Sequence, residues 1–167
     1  MAHEAYLFID NKNDDPYLVM ECSYTLTQEM QRDTAQPAEK PKPGVITFTV
    51  VAPDDADMFF HDWMQKPNEK KSGWIYMKVV SKGSSSDRYI RFEDAFCVSL
   101  YEYFNMHSSD QMYTRLSIFP ARIIFGEEAN AVLFDVKEKT INNSSGEKPS
   151  TGQRPDIPEK ANTENTK

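Results

Sequence analysis

The residues of this chain that could do chemistry are three histidines, two cysteines and a few clustered acids, and their spacing limits what they can do. His3, His61 and His107 fall near the start, in a helix-like segment and in a turn-like one, with no i, i+4 pair and no cysteine close by. A zinc ion needs three or four ligands converging on one point, so no metal site is read from them. Asp54, Asp55 and Asp57 lack both the ligand spacing and the glycine bend of a calcium loop. Glu93 and Asp94 are neighbours in a strand-like run, so their carboxylates point to opposite faces and cannot work as one acid–base pair. Cys22 and Cys97 also sit in strand-like runs without a C-x-x-C, and are read as reduced, mostly buried thiols. G-x-S-x-G, P-loop and G-x-G-x-x-G motifs are absent. The expectation is a protein that is not an enzyme, with no catalytic residue and no cofactor.

The stretch Tyr101 to Phe104, with Tyr89, Phe92 and Phe96, offers an aromatic platform of the kind that stacks on bases or sugars. The charge speaks against nucleic acid: the formal net charge is −7 and the pI about 5.0, whereas phosphate neutralisation needs clustered Lys and Arg. These rings are therefore assigned to packing, within a barrel and between subunits. No apolar run approaches the roughly 18 residues of a membrane helix, and the start, "MAHEAYLFID", lacks the basic and apolar regions of a signal peptide. The expectation is a protein made in the cytosol that does not leave by the general secretory route.

Strand patterning dominates the elements that carry these residues. "AYLFID" reads as a short opening strand and "NKNDDP" as a turn. In "YLVMECSYTLTQEM", Cys22, Tyr24 and Leu26 share one face, and Glu21, Ser23, Thr25 and Thr27 the other. "GVITFTVVA" alternates Ile46, Phe48 and Val50 against Thr47 and Thr49. "SGWIYMKVV", the long "RYIRFEDAFCVSLYEYF", "MYTRLSIFPARIIF" and "ANAVLFD" follow, which makes seven to eight strands with one helix. The helix lies in "APDDADMFFHDWMQK", where the spacing of Met58, Phe59 and Trp63, and of Phe60 and Met64, builds a broad apolar stripe that must pack on the sheet. Asp54 is its expected N-cap and Pro67 its stop. A sheet this large left flat would expose edges, so a closed or nearly closed barrel is expected. The segment from Gln31 to Gly44, with prolines at 37, 41 and 43, reads as a long protruding loop rather than a paired strand.

From Val136 the composition changes. Residues 136–167 hold no aromatic residue and carry six Lys or Arg against five Asp or Glu, one unit positive, which leaves minus eight on residues 1–135. Such a segment cannot bury enough surface to offset its ordering entropy, and a disordered polar tail is expected after a folded domain of residues 1–135.

The order of motifs resembles a known family. "CSYTLTQEM", the helix with "WMQKPNEKKSG", "RFEDAFCVSLYEYF" and "LSIFPARIIFG" are together similar to the type VI secretion tube protein family, Hcp or TssD, in its more divergent branch. Trp63, Pro67, Lys70, Lys71, Ser72 and Gly73 match in one segment, and Phe92, Asp94 and Ala95 in another. The resemblance implies a β-barrel with a flanking helix that forms a homo-hexameric ring. Rings stack into a tube that carries effector proteins and leaves the cell when a contractile sheath drives it out behind a spike. Neither nucleic acid nor membrane is an implied partner. The Gln31–Gly44 loop then corresponds to a ring-stacking loop, with Arg32, Asp33, Gln36, Pro37, Lys40 and Lys42 as its candidate contacts. Here the chain departs from its relatives, which tend to carry a Gly-Arg-Pro turn where it has "AQPAEKPKPG", and the tail is a second departure. The alternatives kept open are a monomeric or adaptor barrel that binds a partner through its loops, and a hydrolase using His61 or His107.

Overall fold

A computed structural model describes residues 4–10, 15–52, 58–81, 84–104, 112–126 and 131–136. His3, His107, the proposed helix-capping Asp54, Asp55 and Asp57, the "NKND" turn and the tail beyond Val136 lie outside the described residues. The elements are β1 (Glu4–Ile9), β2 (Tyr17–Thr27), β3 (Lys42–Val51), α1 (Phe59–Gln65), β4 (Lys71–Ser81), β5 (Ser84–Tyr103), β6 (Tyr113–Phe119), β7 (Arg122–Phe125) and β8 (Val132–Asp135).

All strand pairings are antiparallel and run in the order β4-β1-β2-β3-β6-β5-β7-β8, and an additional β4–β5 pairing closes the first six strands into a barrel. The closure depends on the length of β5, which has 20 residues. Its first part pairs with β4 on one side and, from Ile90 to Glu93, with β7 on the other; its second part, from Phe96 to Tyr103, pairs with β6. The run "MYTRLSIFPARIIF" is accordingly two strands. Pro120 has no N–H to give a ladder, so β6 ends before it, and the chain resumes along the same β5 as β7 with the Ala121 N–H on the Glu93 carbonyl at 3.0 Å.

Alternation places the core as the pattern requires. Ile46, Phe48 and Val50 of β3 face Ile118 and Leu116 of β6 inside the barrel, with Leu7, Ile9, Ile75, Phe92 and Ile123 from the other strands, all fully buried. The helix packs along β5 and buries Phe60 and Trp63 against the core, and Tyr17 packs against the Phe60 ring at 4.7 Å. Met58, expected in that packing, is 54% exposed: it is the N-cap residue, ahead of the first helical turn, and no side chain caps the helix. Phe59 is half-buried beneath Lys71, and Phe60 takes the inner position instead.

One strand boundary differs from the expectation. β3 begins at Lys42, inside the segment read as loop, and pairs Lys42 and Pro43 with Thr27 and Leu26. Pro43 is tolerated because β6 joins β3 only from Ile46 onward, so the missing N–H leaves no gap in the β3–β6 ladder.

Candidate functional site

The family-motif residues, far apart in sequence, meet at the junction of α1, β1, β4 and β5. Gly73 lies so close to β1 that a Cβ there would be 2.2 Å from the Phe8 carbonyl oxygen and 2.7 Å from the Phe92 ring. Ser72 accepts the Asp94 N–H on its hydroxyl at 3.1 Å. Asp94 adopts φ 50°, left-handed backbone that a non-glycine residue rarely takes, at the bulge where β5 turns from β4 toward β6. Ala95 pairs with Lys71 on the far side of that bulge. Lys71 bridges Glu69 at 2.6 Å and Asp10 at 3.1 Å and lies over the Phe59 ring at 4.7 Å. Desolvation works against its charge, but the two carboxylates outweigh it and hold the ammonium above the ordinary lysine range. Hydrogen bonds from Lys71 and Lys66 hold Glu69 below the ordinary carboxylate range. The Trp63 indole N–H donates to the Glu69 carbonyl at 3.1 Å, which pins the helix to the same turn, while Pro67 follows the helix end and is exposed. Lys70 lies over the Phe96 ring at 5.4 Å. This cluster fixes the angle at which β5 leaves β4, and it is a structural joint rather than a reactive centre.

Beyond that joint, the half of the barrel made of β2, β3, β6 and the second part of β5 is a four-stranded sheet with a distinctive outer face. Ser23, Thr47, Ser117 and Ser99 stand in one register row across all four strands, with the Thr47 and Ser117 hydroxyls 3.0 Å apart. The adjacent row is Glu21, Thr49, Arg115 and Tyr101. There Arg115 donates to Glu21 at 3.2 Å and to Thr49 at 3.3 Å, so its charges are compensated within the row. The third row stacks Tyr103 on Tyr113 with ring centroids 5.1 Å apart. A shallow depression of about 430 Å³ lies over Glu21, Ser23, Thr47, Thr49 and Arg115.

Among the described residues neither margin of this sheet has a full strand partner, although α1 flanks the second part of β5. β1 pairs with β2 only at Tyr17 and Leu18, so no strand covers that side of β2 from Met20 to Thr27. β4 leaves β5 at Ala95, so from Phe96 to Tyr103 β5 has a strand neighbour on one side only. The residues near these margins are apolar and exposed: Leu18, Met20, Tyr24 and Leu26 along β2, and Val98 and Tyr101 along β5 with Met64 of α1. Cys22, Tyr24 and Leu26, which share a face as their spacing predicts, are therefore only partly covered by the protein's own core. Burial raises the thiol of Cys22 to about 11, and also raises that of Cys97, whose S–H lies 3.5 Å from the Met64 sulfur.

The segment between β2 and β3 prolongs their hairpin as an arm. Met30 and Pro37 form an isolated bridge, Ala38 N–H donates to the Glu29 carbonyl at 2.8 Å, and Gln31 N–H to the Gln36 carbonyl at 2.8 Å. The tip turns at Ala35, with φ 52°. Arg32, Asp33, Gln36, Pro37 and Lys40 are all exposed on the arm, whereas Lys42 belongs to β3 and is ion-paired with Glu39. Among the described residues His61 does not meet a nucleophile; its Nε2 is 3.4 Å from Glu102 of β5. Among the described residues no group of three or more His, Cys, Asp or Glu could hold a metal ion, and no helix is long and apolar enough to cross a membrane. Sequence reasoning missed the polar rows, because only the register brings the four hydroxyls into line.

Comparison with known proteins agrees with this architecture. The family model described as hemolysin coregulated protein Hcp (TssD) matches residues 1–131. Hcp1 from Flavobacterium johnsoniae superposes with a TM-score of 0.61 at 24% identity, covering 79% of this chain and 98% of its own. The secreted protein Hcp3 from Pseudomonas aeruginosa superposes with a TM-score of 0.57 at 14% identity, covering 82% and 100%. An Hcp1 structure from an E. coli EAEC 042 pathovar gives 0.61 at 10% identity, covering 80% and 99%. At these identities the structural likenesses show the fold. A search of curated protein sequences finds no match.

Proposed function

Because this chain belongs to the Hcp (TssD) family of type VI secretion tube proteins, we propose that it works as a ring subunit whose four-stranded sheet joins edge to edge with identical copies. The observation that carries the reading is the pair of margins without a full strand partner, β2 on one side and the second part of β5, flanked by α1, on the other, each with exposed apolar side chains nearby. An unpaired strand edge beside apolar surface invites another strand. Opposite margins of one sheet make a head-to-tail contact that closes into a ring if the rotation permits.

In a ring of six such subunits the four strands of each copy contribute to one continuous wall. At about 4.8 Å per strand the wall has a circumference of roughly 115 Å and, with strands along the axis, a diameter of about 37 Å. The sheet's inner face is already covered by its own barrel, so the rows of hydroxyls, compensated charge and tyrosine would face the hole. A 100-residue domain, with a radius of gyration of about 13 Å, is close to the largest folded cargo such a hole admits. The wall is polar with its charges paired, which suits passage of effector proteins of varied charge. The β2–β3 arm is the contact to the next ring, with Arg32, Asp33, Gln36, Pro37 and Lys40 as the residues that touch it. Contact with sheath and spike, and release from the cell on sheath contraction, complete the role; none of it needs catalysis.

Electron microscopy and light scattering of the purified protein test the reading. Closed six-membered particles are expected, and Met20→Glu, at an exposed position on the β2 margin, should reduce them to folded single chains. A wild-type protein that runs as single chains at all concentrations would overturn the ring and favour an adaptor barrel.

A further inference from the structure

The margin of β5 that a neighbouring copy would meet is continued in line by the chain's own β4. β6 and β7 follow one side of β5 in a single register, with Phe119 opposite Phe96 and Arg122 opposite Glu93, so β4 lies on the other side. β4 starts there at Lys71, opposite Ala95, and from Phe96 onward that side has no strand among the described residues. The strands β2, β3, β6 and the second part of β5 alternate in direction, and Tyr24, Ile46, Ile118 and Cys97 stand in one row across them. The arm therefore leaves β2 at the end of the sheet where β5 runs from Phe96 back to Ala95. Rotation about a ring axis keeps that end on the same side in every copy. A β2 laid along the free side of a neighbour's β5 thus runs, at the base of its arm, into the neighbour's turn between α1 and β4.

The side chains at these two places are complementary. In the turn, Lys66 is paired with Glu69, and Lys71 with Glu69 and Asp10, which leaves Lys70 as the surplus charge. Lys70 is exposed, lies over the Phe96 ring on the outer face, and has no carboxylate partner among the described residues. The exposed Asp94 belongs to β5 itself, whereas Lys70 stands at the head of β4, in line with the approaching strand. At the arm base Lys42 is paired with Glu39, which leaves Glu29 exposed and without a cation among the described residues. Glu29 is two residues beyond Thr27, on the outer-face count of β2, the face on which Lys70 lies. Leu26 and Met30 fall on the other count and are exposed, as is Met64, whose sulfur meets Cys97 on the inner face of the β5 margin.

We propose that the arm base of one copy clasps the α1–β4 turn of the next copy in the same ring, Glu29 of one chain on Lys70 of the other, with Leu26 and Met30 against Met64. The contact rests on the ring reading and adds to it a lateral role for an arm whose tip serves the next ring.

Light scattering over a dilution series of full-length protein tests the clasp, with circular dichroism following the fold. Glu29→Lys and Lys70→Glu each set like charges against one another at every contact of the ring, so the concentration at which rings dissociate should rise about tenfold or more. The double variant should return to within about threefold of wild type. Mixing the two single variants should also restore rings, because in alternating order every arm then meets a turn of opposite charge. A contact inside one chain could not be repaired by mixing. Glu29→Lys rings that resist dilution as wild type does, or double and mixed samples no better than the weaker single variant, would overturn the clasp and leave the ring reading standing. A wild-type protein without rings would overturn both.

Discussion

Replacing Gly73 with alanine tests the joint that aims β5. The new Cβ would lie 2.2 Å from the Phe8 carbonyl oxygen and 2.7 Å from the Phe92 ring, whereas ordinary contact begins near 3.4 Å. The ring can swing, but the carbonyl cannot move alone. β1 is held to β4 through six paired residues, and the Asp10 N–H at its end is bonded to the Ser72 carbonyl at 2.7 Å. Relief therefore requires moving a whole strand by about 1 Å, and overpacking of that kind costs about 3 kcal/mol at the upper end of its usual range. With a urea dependence of about 1.5–3 kcal/mol per molar for a domain of this size, the unfolding midpoint should fall by about 1–2 M. Adding Phe92→Ala should recover little, because it frees only the softer of the two contacts. A Gly73→Ala midpoint within about 0.3 M of wild type, or full rescue by the Phe92 change, would refute the claim that the Phe8 backbone makes glycine obligatory.

Further outcomes follow from the same geometry. Arg115→Glu replaces the only cation of its row beside Glu21, so rings of the variant should fall apart at low salt and re-form as salt screens the repulsion, read by light scattering. Glu69 is held low, so its ion pair with Lys71 contributes stability above the ordinary carboxylate pKa and loses it as pH falls through the lowered value. Lys71 is held high, so its share is present below the ordinary lysine pKa and is lost only as pH rises through the raised value. Glu69→Gln should accordingly narrow the difference between thermal melts at pH 7 and pH 3. Burial raises the Cys22 thiol to about 11, so at pH 8 a thiol reagent should label it far more slowly in the folded protein than in urea.

Much of the fold was legible because a period of two is hard to mistake where one face is buried: Ile46, Phe48 and Val50 point inward as written. What was not legible has local causes. The pattern that ends β2 with Tyr24 and Leu26 has the form of a core strand, but β1 is too short to cover it, and alternation cannot say whether an apolar face meets its own core or another molecule. The start of β3 was hidden by Pro43, which a rule for central strands excludes and an incompletely paired stretch admits. The bulge at Asp94 carries no glycine to announce its positive φ. The hydroxyl row depends on bulges in β2 and β5 that shift register by a residue, and no spacing within a single strand reveals it.

The 20-residue β5 ties these observations together. A strand that only closed a six-stranded barrel would need partners along one length, yet β5 has β4 and β7 on its first part and β6 alone on its second. The motif cluster sits where it changes role, and among the described residues no other strand changes partners in this way. If the second part exists to meet another copy, shortening the β5–β6 hairpin at its Tyr103–Tyr113 end should leave the barrel and its melting temperature nearly intact while abolishing rings. The Gly73–Phe92–Asp94 joint should respond the opposite way, losing fold and rings together. A hairpin truncation that unfolds the barrel would mean that the length of β5 serves the subunit itself, and the edge-to-edge reading would lose its main physical support.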